Sequence, residues 1–276
     1  KKDLKFLGRL GQVNVSQISN FSEESIEKLL FGADIVFNLI GILYENERQT
    51  FKKIHNELPE VIAKKAKKAG VKSFIHLSAL GVDKNSNSKY AESKFQGERN
   101  VRSKFPEAII LRPSVVFGKE DNFINLFSKL STITPFLPII GDPKIKLSDK
   151  LFPSIIFPDG TLFQPIYVGD LADFILKICF EKSRTINLAG PNILSFKEII
   201  KLILKFSKRS RLCVPVPFFL ANILAFFSEK LPNPLLTRDQ VQLLRVNNIS
   251  KIGYENLVEY VPTPKTLEII LPTYIN

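Results

Sequence analysis

At 276 residues, with 45% hydrophobic and 24% charged side chains, the chain carries enough apolar material for a buried core, and it has no low-complexity run or short repeat, which excludes a disordered tail or a fibre. Cys179 and Cys213 stand far apart in apolar stretches and share no ligand spacing with His55 or His76, so neither a disulfide framework nor a zinc site is expected. The formal charge of +12 comes mostly from scattered lysine; its densest cluster, Lys64, Lys65, Lys67 and Lys68, lies opposite the helically spaced Ile62, Ala66 and Ala69 and reads as a solvated helix face, not a nucleic-acid track.

The sequence opens on Lys1, contains no methionine and shows no signal-peptide order of basic, apolar and small residues. Residues 13–18 read as a strand, and Ser22 followed by Glu23 and Glu24 opens a helix. The pattern repeats: an apolar run at 35–40, a helix over 50–69 closed by Gly70, a strand at 72–77, a helix over 87–104, a strand at 108–111 and a loop with Pro113 and Gly118. Strands alternating with helices require parallel crossovers, which predicts an α/β fold with a Rossmann-like doubly wound parallel sheet. Its ligands bind beyond the carboxyl ends of the strands, just after Ile40, Leu77 and Leu111. Prolines at 135, 138, 143, 153 and 158 then loosen the pattern, which resumes with the strand QPIYV, a helix from Asp170, the strand TINLA and a helix over 195–208. The expected division is a dinucleotide-binding domain at 1–118 and a smaller α/β lobe at 119–276, some of whose strands and helices return to the main sheet.

Tyr90 and Lys94 stand four apart, on one face of a helix, where an ammonium would pull the phenol pKa down and suit it to proton transfer at a carbonyl. Lys94 can also hold ribose hydroxyls, and Ser78, ending FIHLS, can polarise the same oxygen. In NLIGILYE, Asn38 and Leu39 leave a buried strand and Gly41 admits close approach of a dinucleotide. Pro113 and Ser114, beside Arg112 at the next strand end, would lie over the nicotinamide, with Arg112 alternatively paired structurally. Asp170 reads as a helix N-cap. Gly8 and Gly11 lack the strand before and helix after that a phosphate-binding fingerprint needs, so a glycine-rich first βαβ unit is expected upstream of Lys1.

Taken together, ADIVFNLIGILYE, AGVKSFIHLSALGVD, SKYAESKFQGE, FPEAIILRPSVVFGKED, FQPIYVGDLAD, LTRDQVQLL and ILPTY resemble the atypical short-chain dehydrogenase/reductases, and within them the nucleotide-binding accessory subunits of respiratory complex I and their bacterial relatives. That resemblance implies NADP(H) or NAD(H) held structurally by Asn38, Leu39, Gly41, Ser78, Tyr90, Lys94, Pro113 and Ser114, with the catalytic set Ser78, Tyr90 and Lys94 vestigial. It further implies other complex I subunits as partners and a peripheral place on the inner membrane, on the cytoplasmic face in bacteria or the matrix side in mitochondria. The rival reading is an active NAD(P)-dependent reductase or a nucleotide-sugar epimerase or dehydratase, with a redox-sensing module as a third. Residues 142–162 are longer than the connection expected before FQP.

The uncharged run 212–228 is broken by Pro215 and Pro217 and is too short to span a bilayer, which needs ~20 residues. Phe218, Phe219, Phe226 and Phe227 cannot share one helix face, so part of this run is expected to dock on a partner or lie at a membrane surface.

Overall fold

Ser22 begins the ordered pattern by accepting the Ser25 N–H at 3.2 Å, and α1 (Glu23–Leu30) follows with two glutamates at its positive end and Ile26 and Leu30 buried. The computed structural model describes residues 12–18, 21–83, 86–146, 154–156 and 159–275. Next comes β1 (Ile35–Asn38), and then a π-helical segment (Lys52–Glu57) that runs into α2 (Leu58–Lys68). Pro59 has no N–H for the carbonyl four residues earlier, that of His55, and the first turn widens accordingly. Gly70, at φ 76°, closes this helix.

Next in order are β2 (Ser73–Leu77), α3 (Lys89–Lys104), β3 (Ile109–Pro113) and β4 (Val116–Phe117). They precede α4 (Asn122–Ile133), β5 (Phe136–Ile140), an antiparallel pair β6 (Lys144–Lys146) and β7 (Ser154–Ile156), β8 (Leu162–Phe163) and β9 (Ile166–Tyr167). The last part holds α5 (Val168–Ile178), β10 (Thr185–Leu188), β11 (Leu194–Ser195), α6 (Phe196–Phe206), β12 (Leu212–Val216), α7 (Phe218–Ser228), α8 (Arg238–Leu243), α9 (Lys251–Tyr260) and α10 (Leu267–Ile270).

The main sheet runs β1-β2-β3-β10, every pair parallel, as the alternation of strands and helices requires. Its two inner strands, β2 and β3, are buried on both faces, whereas the edge strands β1 and β10 leave Phe37 and Thr185 exposed. Phe74 and Ile110 pack with Ala63, Ala66, Val101 and Phe105 of α2 and α3, while Ile75, Ile109 and Leu111 pack with Leu171 and Phe174 of α5 and Leu257 of α9. A further core gathers Phe117, Phe127, Leu137, Phe196, Ile200 and Ile203, and it includes the parallel pair β5 and β12.

Several sequence expectations change. Residues 13–18 form no strand: Val13 and Val15 are each 37% exposed, and an alternating pattern becomes a strand only where an edge pairs it and a core covers it. The helix of Tyr90 starts at Lys89 under a Ser88 cap rather than at 87. Asp170 is not the cap of α5, which begins two residues earlier at Val168; its carboxylate instead accepts the Lys265 N–H at 2.6 Å. The run 212–228 is a strand followed by a helix. The long 142–162 segment contributes β6 and β7, with 147–153 and 157–158 outside the described residues, as are Gly8 and Gly11.

Candidate functional site

Asn38 leaves β1 opposite His76 in the parallel register, and its amide nitrogen donates to His76 Nδ1 at 3.0 Å while its oxygen accepts the Ile40 N–H at 3.3 Å. The proton of His76 therefore sits on Nε2, a buried atom without a hydrogen-bond partner. Two residues on, at the carboxyl end of β2, the Ser78 N–H donates to Leu111 O at 2.7 Å and holds the backbone, while the buried Ser78 Oγ has no partner either. Native interiors rarely leave such atoms bare.

Lys94 reaches the same place from α3. Its buried Nζ donates to Leu77 O at 3.0 Å, and a Cβ on Gly41 would stand 3.2 Å from that ammonium and 3.7 Å from His55 Nε2. A side chain at 41 would thus crowd the Lys94 ammonium in the loop after β1. His55 ties the loop to the helix: Nε2 accepts the Ile42 N–H at 3.0 Å, so Nδ1 carries the proton and meets Ser93 Oγ at 3.0 Å, and Ser93 donates to Tyr90 O at 2.8 Å. The imidazole stacks on Phe51 and meets the Tyr90 ring edge to face, centroids 5.2 Å apart in each case. α3 approaches closely because Gly97 lies on the His55 carbonyl, where a Cβ would fall 1.9 Å from the oxygen.

Burial governs the electrostatics. Desolvation lowers Lys94 to about 8, partly opposed by Glu98, and Glu98 is itself held by Arg112 through two bonds of 2.8 and 2.6 Å. His55 and His76 are each lowered to about 3, by burial first and by the Lys94 charge second, and both are neutral at physiological pH. The Tyr90 phenol moves opposite to expectation: burial pushes it up to about 12, and one donor of the Lys94 ammonium goes to Leu77 O, not to the phenol.

The structure thus brings Ser78, Tyr90, Lys94, Gly41 and Asn38 to one end of the sheet. Leu39 lies exposed on the loop, and Arg112 takes the structural pairing with Glu98. Pro113 accepts the Leu80 N–H at 2.8 Å, and Ser114 donates its hydroxyl to Gln164 O and its N–H to Leu188 O, so both tie strands together. Sequence reasoning missed His55, His76, Ser93 and Asp239. Asp239, in LTRDQ, accepts from Ser88 Oγ at 2.8 Å, from the Lys89 N–H at 2.7 Å and from the Tyr90 N–H at 3.1 Å. Its signal was the LTRDQ motif itself, whose target 150 positions away no local pattern reveals.

The bare Ser78 hydroxyl, the Lys94 ammonium and the glycine floor fit the nicotinamide-ribose end of a dinucleotide. Among the described residues no group of acidic, histidine and cysteine side chains could hold a metal.

No family model matches the chain. The mouse (Mus musculus) protein named NADH dehydrogenase (ubiquinone) 1 alpha subcomplex subunit 9, mitochondrial, is 31% identical over 270 residues, covering 96% of this chain and 67% of its own length. The chain belongs to this family. Its Arabidopsis thaliana counterpart is 29% identical over 93% of the chain, and the chain spans only 61% of that relative. A Caulobacter vibrioides ceramide reductase is 29% identical over a shorter stretch, 42% of the chain and 37% of that protein. Among solved structures, a Staphylococcus aureus nucleoside-diphosphate-sugar epimerase superposes with a TM-score of 0.70 over 95% of this chain and 84% of that one, at 17% identity. Citrobacter triphenylmethane reductase, solved with NADP(H), gives 0.66 over 93% and 82% at 14% identity. These likenesses establish the Rossmann-like fold of the subunit-9 family member described here.

Proposed function

We propose that this chain is a nucleotide-holding accessory or assembly subunit of respiratory complex I, NADH:ubiquinone oxidoreductase, attached peripherally on the matrix side in a mitochondrion or the cytoplasmic face in a bacterium. The kinship over 96% of the chain to subunits of that name carries the assignment. The nicotinamide dinucleotide, whose chemistry when bound is hydride exchange, serves here as a structural group. Lys94 would anchor its ribose, Ser78 its carboxamide end, and Gly41 would let the loop backbone close on it. A general acid works best with a pKa near the operating pH, and a phenol at about 12 is a poor one. The role proposed for the site is holding, not turnover.

Native electrophoresis of gently solubilised membranes tests the partner: the protein migrates in the complex I band, and a wholly soluble protein absent from that band overturns the reading. Acid and alkaline extraction of the purified protein, followed by enzymatic cycling specific for each nucleotide, distinguishes NADP(H) from NAD(H).

The unpartnered Ser78 hydroxyl favours one second reading, a reductase or epimerase whose substrate oxygen it would polarise. That reading requires nucleotide absorbance to change on adding a carbonyl substrate.

A further inference from the structure

Helix α7 is built inside out. Only Ala221 and Ala225 are buried, one turn apart on a narrow stripe, while Phe219, Leu220, Ile223, Leu224, Phe226 and Phe227 are all exposed, Phe219 at 74% and Phe227 at 60%. At 100° per residue these six span a continuous arc of about 160° with no polar side chain in it. A soluble surface helix does the reverse, turning its small or polar residues outward. Leu231 and Leu235 extend the exposed apolar surface beyond the helix.

Cations stand at one end of this arc. Lys230 Nζ lies 4.9 Å from the Phe226 ring centre and the Arg238 guanidinium 5.4 Å from the same ring, while Arg245 lies over Phe218 on the packed side of the helix. Glu229 pairs with Arg238 at 2.8 Å and Asp142 accepts the Phe218 N–H at 2.9 Å, which leaves Lys230 as the cation on the Phe226 ring that makes no ion pair among the described residues. A protein partner would ordinarily find about one hydrogen bond per 100–200 Å²; this arc offers none. A bilayer requires none, and anionic headgroups complement the cations at its end. No helix among the described residues is long and apolar enough to cross a membrane, and α7, eleven residues and about 16 Å long, suits a position in the interface plane.

We propose that the outward face of α7 docks on an anionic phospholipid surface, its aromatic and aliphatic arc entering the headgroup–acyl boundary and Lys230, with Arg238 beside it, meeting the phosphates. This inference stands on the helix alone and not on the complex I assignment.

Flotation of the purified protein with phosphatidylcholine vesicles containing about one third phosphatidylglycerol, against vesicles of phosphatidylcholine alone, is the test. Binding to the anionic vesicles is expected to be about tenfold tighter and to weaken as salt rises from about 0.05 to 0.5 M. The double variant Phe219→Asp, Phe227→Asp, altered only at exposed positions and checked by an unchanged melting curve, is expected to lose binding by a further tenfold or more, about 1.4 kcal/mol. The proposal fails if the protein ignores anionic vesicles, if the variant binds as well as the parent, or if sedimentation shows instead a dimer that the same variant dissociates. Co-migration with complex I is read separately, so an unaltered protein that binds no anionic vesicles yet keeps its place in the band overturns this inference alone.

Discussion

Asp239 Oδ2 accepts the backbone N–H of Tyr90 at 3.1 Å and Ser88 Oγ at 2.8 Å, while its other oxygen takes the Lys89 N–H at 2.7 Å. One carboxylate thus satisfies two unpaired N–H groups of the first turn of α3, the helix that delivers Tyr90 and Lys94 to the sheet, and holds the Ser88 cap that takes a third. The negative charge sits at the helix end where the backbone dipole favours it.

Removing that carboxylate exposes the coupling. Asp239→Ala is expected to lower unfolding free energy by about 2 kcal/mol, the sum of a lost cap and a charge-assisted bond, and to weaken nucleotide retention. Urea titration and nucleotide extraction read the two effects; an unchanged midpoint would mean that α3 is positioned without Asp239.

Gly97→Ala sets two effects in opposition. Alanine improves helix propensity by about 1 kcal/mol, but its Cβ would stand 1.9 Å from the His55 carbonyl oxygen, a backbone atom that cannot move aside cheaply. The clash dominates, and a net loss of about 2 kcal/mol or more is expected in chemical denaturation. A stabilised variant would place the α3 contact elsewhere.

The two buried histidines fix the acid limb of stability. Their folded pKa values, about 3, lie below the ordinary 6.5, so the unfolded chain binds more protons and the stability present above pH 6.5 is lost as pH falls towards 3. Each contributes a slope of about 1.4 kcal/mol per pH unit in that window. His55→Gln should remove one proton's worth of slope between pH 6 and 4. Lys94, lowered from 10.5 to about 8, acts on the alkaline side: stability rises between those values and Lys94→Met abolishes the rise.

Tyr90→Phe separates holding from turnover. With the phenol at about 12, its loss should leave nucleotide content and respiration of membranes within about twofold, while Lys94→Ala empties the site. A loss of more than tenfold in respiration from Tyr90→Phe would return the lead to the reductase reading.

The parallel sheet and the order of its helices were legible because period, capping residues and strand ends are local signals. The strand at 13–18 misled for a complementary reason: alternation says which side would be buried, not whether a neighbour exists to bury it. The phenol shift was misread because spacing on a helix specifies a shared face, whereas Lys94 turned its ammonium to Leu77 O, and burial then set the sign for Tyr90. His55 was passed over as one of two isolated histidines, since its partners Ile42 and Ser93 come from two different segments.

The fourth strand of the main sheet has a consequence for biosynthesis. β10 pairs with β3 in the register Ile110↔Thr185, about 75 residues later in the chain, after α4, β5 and the excursion that follows. A ribosome must therefore emit α4, β5 and α5 before the first sheet can gain its outer strand. Until then, the edge of β3 stands open to any extended segment nearby, which makes the half-made chain a client for chaperones that shield strand edges.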